Sequence, residues 1–388
     1  MKKSSLFGAT VAAALALAAC GGTSSSKSSD TTVAASSSSS GSAVDLSAVC
    51  PAKVILQTDW NPEAEHGFLY NLIGPGYTVD AKKFAVDGDL VANGQKTGVQ
   101  VEVRSGGPAI GYQQVTAQLY TDPSILLGFV STDEAVSHSV DKPTVAVVAD
   151  YNINPQMIMW DPATYPNVKK ISDLKALGTK VRYFDGAAYM EYLISSGQLD
   201  KKQTDATYDG TPAAFVAAGG KDAQQGFGTA EPYFYQNVLK DWMKPVAYQY
   251  INDAGWTAYA QSLAATPANL TKYSDCLKKL VPIIQQSQVD YVKNPETTNA
   301  LILDAVSRFN NGWVYDAGQA TASVQKQLSD KLVANSPDGT LGSFDIDRVT
   351  KFIATATPVY TATGAKVKAG LAASDLVTNQ FIDPSIHL

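Results

Sequence analysis

Cysteine and histidine are both scarce, with three of each in 388 residues. His66, His138 and His387 are scattered, and neither Cys50 nor Cys276 has metal-ligand spacing to any of them, so no zinc site is implied. Basic blocks are missing too. The formal charge is −6, and it becomes −8 without Lys2 and Lys3, which argues against nucleic acid as a partner. No Gly-x-Ser-x-Gly elbow is present, there is no internal repeat, and no catalytic residue, metal or cofactor is assigned. Beyond the first twenty residues no apolar run approaches the roughly 20 residues that cross a bilayer.

The first segment does carry a pattern. Lys2 and Lys3 precede an apolar stretch from about Leu6 to Ala19, ending in Leu17-Ala18-Ala19-Cys20. A basic start, a short apolar stretch and small residues read as a secretory signal over 1–19. Cys after Leu-Ala-Ala resembles the lipobox of bacterial lipoproteins, in which the thiol is acylated; an ordinary signal that happens to carry a Cys is the other reading. Lipidated Cys20 would place the protein on the extracytoplasmic face of a bacterial cell membrane. Residues 20–49, dominated by Ser, Gly, Thr and Ala, cannot bury enough apolar surface to fold and read as a flexible tether.

About 340 residues remain, above the usual limit of a single core at about 250–300 residues, so two lobes are expected. In an oxidising location Cys50 and Cys276 are expected to pair, contributing roughly 4–5 kcal/mol if loop-closure entropy dominates. Two separate buried thiols are the alternative, because sequence cannot place them within bonding distance.

Short apolar or alternating runs mark strands at 54–56, 99–103, 124–130 and 144–149, with helical stretches between them. A second series begins at Gln156–Trp160 and closes near Tyr250. Strands alternating with helices predict a mainly parallel α/β architecture. From about Ala268 onward helical periodicity dominates. The expected organisation is lobe 1 over 50–150, lobe 2 over 151–255, and a return to lobe 1 with C-terminal helices over 256–388. Ligands in such sheets sit on the loops beyond the carboxyl ends of strands, so those loops supply the site candidates.

The first such loop, Asp59-Trp60-Asn61-Pro62-Glu63-Ala64-Glu65-His66-Gly67-Phe68, clusters an aromatic ring, carboxylates and an imidazole. With Ser105-Gly106-Gly107-Pro108, Ile171-Ser172-Asp173-Leu174-Lys175 and Gly226-Phe227-Gly228-Thr229-Ala230-Glu231-Pro232-Tyr233, it resembles the NMT1/SsuA/ThiY-like family of ABC-transporter substrate-binding proteins. Each segment is weak alone; their order, threading most of the chain from Val54 to about Leu239, is what makes the resemblance specific. It implies a two-lobed type II periplasmic-binding fold with a central cleft, a membrane permease as partner, and capture of a small aromatic heterocycle (thiamine-pyrimidine-precursor-like or flavin-like) or a sulfonate or nitrate. The chain is expected to act as a monomer.

Trp60 offers a flat face for an aromatic ring, or is a core aromatic at a strand end. Glu65 either meets the ligand or complements its helix start, while His66 can donate or accept to ring nitrogens, or be a satisfied helix-start residue. Gly107 opens its backbone N–H at a helix start or makes a tight turn. Tyr112 follows one turn on. Thr132 and Glu134 offer a hydroxyl and a carboxylate, or a cap. Phe184, Asp185 and Tyr189 occupy the equivalent loop of the second lobe. The resemblance places a ligand-contacting acid at Glu231. Arg104 and Arg182 are the only nearby cations for a sulfonate, which favours the heterocycle. An enzymatic alternative, similar to the fungal hydroxymethylpyrimidine synthases that consume pyridoxal phosphate and their own His, would use His66, but a Cys-rich iron-binding cluster is missing.

Overall fold

Val54, Ile55 and Leu56 are buried on both faces of the sheet, which is what a central parallel strand demands. In the computed structural model, which describes residues 44–388, they form β1 (Lys53–Gln57). The same sheet contains β2 (Thr78–Asp80), β3 (Ala85–Ala92), β4 (Gln95–Arg104), β5 (Ile125–Val130) and β6 (Val145–Val148). The second sheet is built from β7 (Gln156–Trp160), β8 (Val181–Arg182), β9 (Thr204–Asp205), β10 (Ala223–Phe227) and β11 (Ala247–Tyr250). The chain then returns to the first sheet as β12 (Ser262–Ala265).

Strand order is β2-β3-β4-β1-β5-β12-β6 in one sheet and β11-β7-β10-β8-β9 in the other. The sheets are mixed, which corrects the mainly parallel expectation. β1 runs parallel to β4 and β5, but β3 pairs antiparallel with β4 through a hairpin. β12 slots antiparallel between β5 and β6 because it enters from the opposite end, after the second sheet. In the second sheet β7 is antiparallel to β10 and β11, while β8 is parallel to β9 and β10. Two sheets with flanking helices give the mixed α/β type II architecture.

Two crossovers therefore join the sheets, one after β6 and one before β12. Arg348 ties them together. Its guanidinium donates to the Asn152 carbonyl of the first and to the Thr257 and Ala258 carbonyls of the second, the last two at 2.9 and 3.2 Å, and its plane lies 3.8 Å from the Tyr259 ring centroid.

The C-terminal third backs the first sheet with long helices, Ser274–Lys293, Glu296–Phe309, Ala317–Ser329 and Ile346–Ala362. Ser274–Lys293 buries an apolar stripe of Leu277, Leu280, Val281 and Ile284, whereas Ala317–Ser329 turns Gln319, Ser323 and Gln327 inward beside Ala320 and Val324. Gly67 is required where this layer meets the first loop. A Cβ there would sit 1.9 Å from the Tyr291 ring, so only Gly lets the helix start approach. Cys50 and Cys276 are joined in a disulfide with Cα atoms 4.7 Å apart, closing a sequence separation of 226. The signal, tether and lipidation readings, Cys20 included, lie outside the described residues.

Candidate functional site

The loop after β1, the loops after β8 and β9, the end of β10 and the second crossover converge between the two sheets on a cavity of about 360 Å³. Loops past carboxyl strand ends supply much of it, as the strand-end rule requires. Its first wall is Asp59, Trp60, Glu63 and Glu65, and its second is Phe184, Tyr208, Gln225 and Glu231. Gln261 enters from the crossover, and Trp313 and Gln319 from the C-terminal helical layer.

Trp60 joins these surfaces. Its ring centroid is 6.4 Å from Phe184 of the second sheet and 6.2 Å from Trp313, both edge-on. Phe184 is in turn 4.8 Å from Tyr208. Gly107 lies beneath the indole: φ is +55°, and a Cβ would meet Trp60 at 2.7 Å. Gly106 is equally close-packed, since a Cβ would fall 2.4 Å from the Thr58 carbonyl oxygen. The two glycines thus let the Trp60 loop lie flat on backbone.

Carboxylates and amides share the polar lining. Glu63 and Glu65 are buried, and neither makes an ion pair with Lys or Arg; Glu63 has only His66 Nε2 at 3.7 Å. Burial pushes the Glu63 carboxyl well above its ordinary value, helped by Glu65, Asp59 and Glu231. Burial also raises Glu65; the nearby hydroxyls of Thr229 and Ser323 temper this without reaching hydrogen-bonding geometry. Glu231 is half-buried and pushed up to about 7, chiefly by desolvation, against a hydrogen bond in which the Phe227 N–H donates to Oε2 at 2.6 Å. Among the described residues, no Lys or Arg lines the cavity.

Asp59 is held by Gln261, whose Nε2 donates to both carboxylate oxygens at 3.0 and 3.1 Å. His66 Nε2 lies 3.1 Å from Asp59 Oδ1. The imidazole is fully buried and stands behind Asp59, outside the cavity lining. With its proton on Nε2 it donates to Asp59 and fixes that carboxylate in place.

Of the residues singled out from sequence, Trp60, Glu65, Phe184 and Glu231 line the cavity. The others do not line it. Tyr112 is exposed at a left-handed φ of +58°, with its ring 5.9 Å from Trp60. Thr132 accepts from the Tyr259 N–H at 2.9 Å, and Glu134 accepts from the Thr116 N–H at 3.0 Å. Asp185 is exposed and accepts from the Gly186 N–H at 3.0 Å. Tyr189 donates to Gln225 Oε1 at 2.6 Å and so braces a lining residue from behind. Glu63, Tyr208, Gln261, Trp313 and Gln319 were not among the candidates. Of these, Trp313 carries a usable signal, an aromatic immediately after an Asn311-Gly312 turn.

No family model matches the sequence, and no curated relative does. Solved structures do. A protein from Bordetella bronchiseptica RB50 aligns with TM-score 0.53 and 15% identity, over 85% of this chain and 96% of that one. The periplasmic aliphatic sulphonate binding protein SsuA from Escherichia coli aligns with TM-score 0.52 and 16% identity, over 81% and 88%. The alkanesulfonate-binding protein SsuA from Xanthomonas axonopodis pv. citri, bound to MOPS, gives 0.51 and 12%, over 84% and 98%. Identities this low establish the architecture. This chain shares that architecture, two sheet lobes with flanking helices, with the two SsuA structures.

Proposed function

We propose that this chain is the extracytoplasmic substrate-binding protein of an ABC importer, anchored through lipidated Cys20 and acting as a monomer beside its membrane permease. Lobe 1 over 50–150, lobe 2 over 151–255 and the returning segment over 256–388 close on a small solute, which stabilises the closed state because it touches both lobes. The observation that carries this reading is Trp60, which reaches from the first-sheet loop to Phe184 of the second sheet at the rim of the cavity. The cavity volume lies at the small end of ligand sites, roughly 300–1,000 Å³. Aromatic walls with acceptor groups favour a compact nitrogen heterocycle, a ring that stacks and carries N–H donors.

A sulfonate or nitrate is the second reading, and the sulfonate is favoured by what two of the similar structures are named for. The two arginines that could serve an anion are otherwise engaged. Arg104 pairs with Glu102 and Asp122, and Arg182 with Asp205 and Asp222. Binding without chemistry also fits better than a pyridoxal-phosphate enzyme. The lining offers no Lys amine for the aldehyde and no cation for the phosphate, and His66 stands behind Asp59.

A thermal-shift screen of pyrimidines, flavins, sulfonates and nitrate tests this. A true ligand at 100 times its dissociation constant adds about 2.7 kcal/mol. A pyrimidine hit supports the first reading and a sulfonate hit the second. Absence of any stabilising solute would sink the capture role.

A further inference from the structure

We infer that the captured solute carries a positively charged nitrogen, received against Glu65 within an aromatic enclosure. This deepens the capture role proposed above and rests on it. Four carboxylates line the cavity and no Lys or Arg does. A group of acids alone is unremarkable, but these have a second property. Both oxygens of Glu65, 2% exposed, have no hydrogen-bond partner. Gln319 Oε1 and Gln261 Oε1, on residues 2% and 3% exposed, are likewise without a partner. The fully buried lining atoms that lack a partner, Glu65 Oε1 and Oε2, Gln261 Oε1 and Gln319 Oε1, are therefore all acceptors, and the complement they call for is a set of donors.

A buried carboxylate without donors is costly. An ammonium, amidinium or ring N–H⁺ supplies both charge and donors in one group. Trp60, Trp313, Phe184 and Tyr208 line the same cavity, and aromatic rings are the surface that organic cations prefer. A metal ion fits less well. Among the described residues no group of three or more His, Cys, Asp or Glu is placed to hold one. An anion would face four acids with no counter-charge.

The test uses three probes with one aromatic nucleus and different charge: benzylammonium, benzyl alcohol and benzenesulfonate. They are added to the disulfide-bonded protein alongside a wider solute library sorted by charge class. Benzylammonium should raise Tm most and benzenesulfonate least, with library hits concentrated among cations. Glu65→Gln keeps the shape and removes the charge; it should weaken the best cation at least tenfold by calorimetric titration and leave the neutral probe unchanged. Glu231→Gln is the control for a failed fold at position 65, with a smaller loss in the same direction. Neutral or anionic hits without cationic ones overturn this inference and leave solute capture standing. So does a Glu65→Gln protein that keeps its full cation affinity. No hit in any charge class overturns both.

Discussion

The acids of this protein are treated in two opposite ways. At the second-sheet edge, Arg182 lies 2.9 Å from Asp205 and 2.8 Å from Asp222, with all three side chains mostly buried. On the first sheet, Lys53 and Arg104 both meet Glu102. In the cavity, Glu63, Glu65 and Glu231 have no such cation. Counter-charges accompany these sheet acids and are withheld from the cavity acids, as they are from Asp133, Glu134 and Asp150, which are held by Trp256, Thr116 and Gln288 instead. What sets the cavity acids apart is that they line a cavity.

The largest expected effect comes from breaking the compensated side. Arg182→Met should cost about 2–4 kcal/mol in urea unfolding, because Asp205 and Asp222 are left without their partner; partial exposure keeps this below the fully buried case. A loss under about 0.5 kcal/mol would show that the pairing is ornamental.

Next is pH. The cavity carboxyls are raised by burial, Glu231 to about 7 and Glu63 well above its ordinary value. Between about pH 4.5 and 7 the folded chain holds protons that the unfolded chain has released. Stability from these groups is thus fully present below the unfolded value and is lost as pH rises through the folded one. The solute-free protein should be less stable at pH 8 than at pH 5 by on the order of 1–3 kcal/mol. Asp205 behaves oppositely. The Thr207 hydroxyl and the Arg182 charge hold it below the ordinary range, so its contribution is present above about pH 4 and lost in acid. Unfolding curves that rise steadily from pH 5 to 8 would contradict the cavity's assignment.

A smaller effect isolates one group. Glu65→Gln should stabilise the solute-free protein at pH 8 by about 1 kcal/mol and flatten its pH profile, since the unpartnered charge is gone. Destabilisation at that pH would mean Glu65 has a structural partner. The smallest belongs to the surface. Lys278 and Asp275 pair at 2.8 Å but are exposed, so Lys278→Ala should leave the urea-unfolding midpoint unchanged.

The legible parts of the molecule are those whose signal is local. β1, β5 and β7 are runs of buried apolar residues, and Trp60, Glu65, Phe184 and Glu231 follow strands where a ligand loop belongs. The β2–β3 hairpin was not anticipated, because Asp87 and Asp89 fill the outward positions of β3 and Gly88 an inward one, residue types depleted from strands. β12, Ser-Leu-Ala-Ala, has no β-branched residue and is a strand only because β5 and β6 flank it. Gln261, Trp313 and Gln319 reach the cavity from a crossover and from the helical layer, elements that the strand-end rule does not select.

The disulfide also decides how the chain carries a load. Any tension on residues ahead of Cys50 reaches a covalent branch point three residues before β1 begins at Lys53. There it divides, and one path runs through Cys276 into the twenty-residue helix Ser274–Lys293. A strand pulled from its end unzips one hydrogen bond at a time, whereas a buried helix packed along its length must be displaced as a unit. Cys50–Cys276 therefore works as a strain relief, keeping a pull on the leading segment from peeling β1 out of the sheet that carries Trp60 and Glu65.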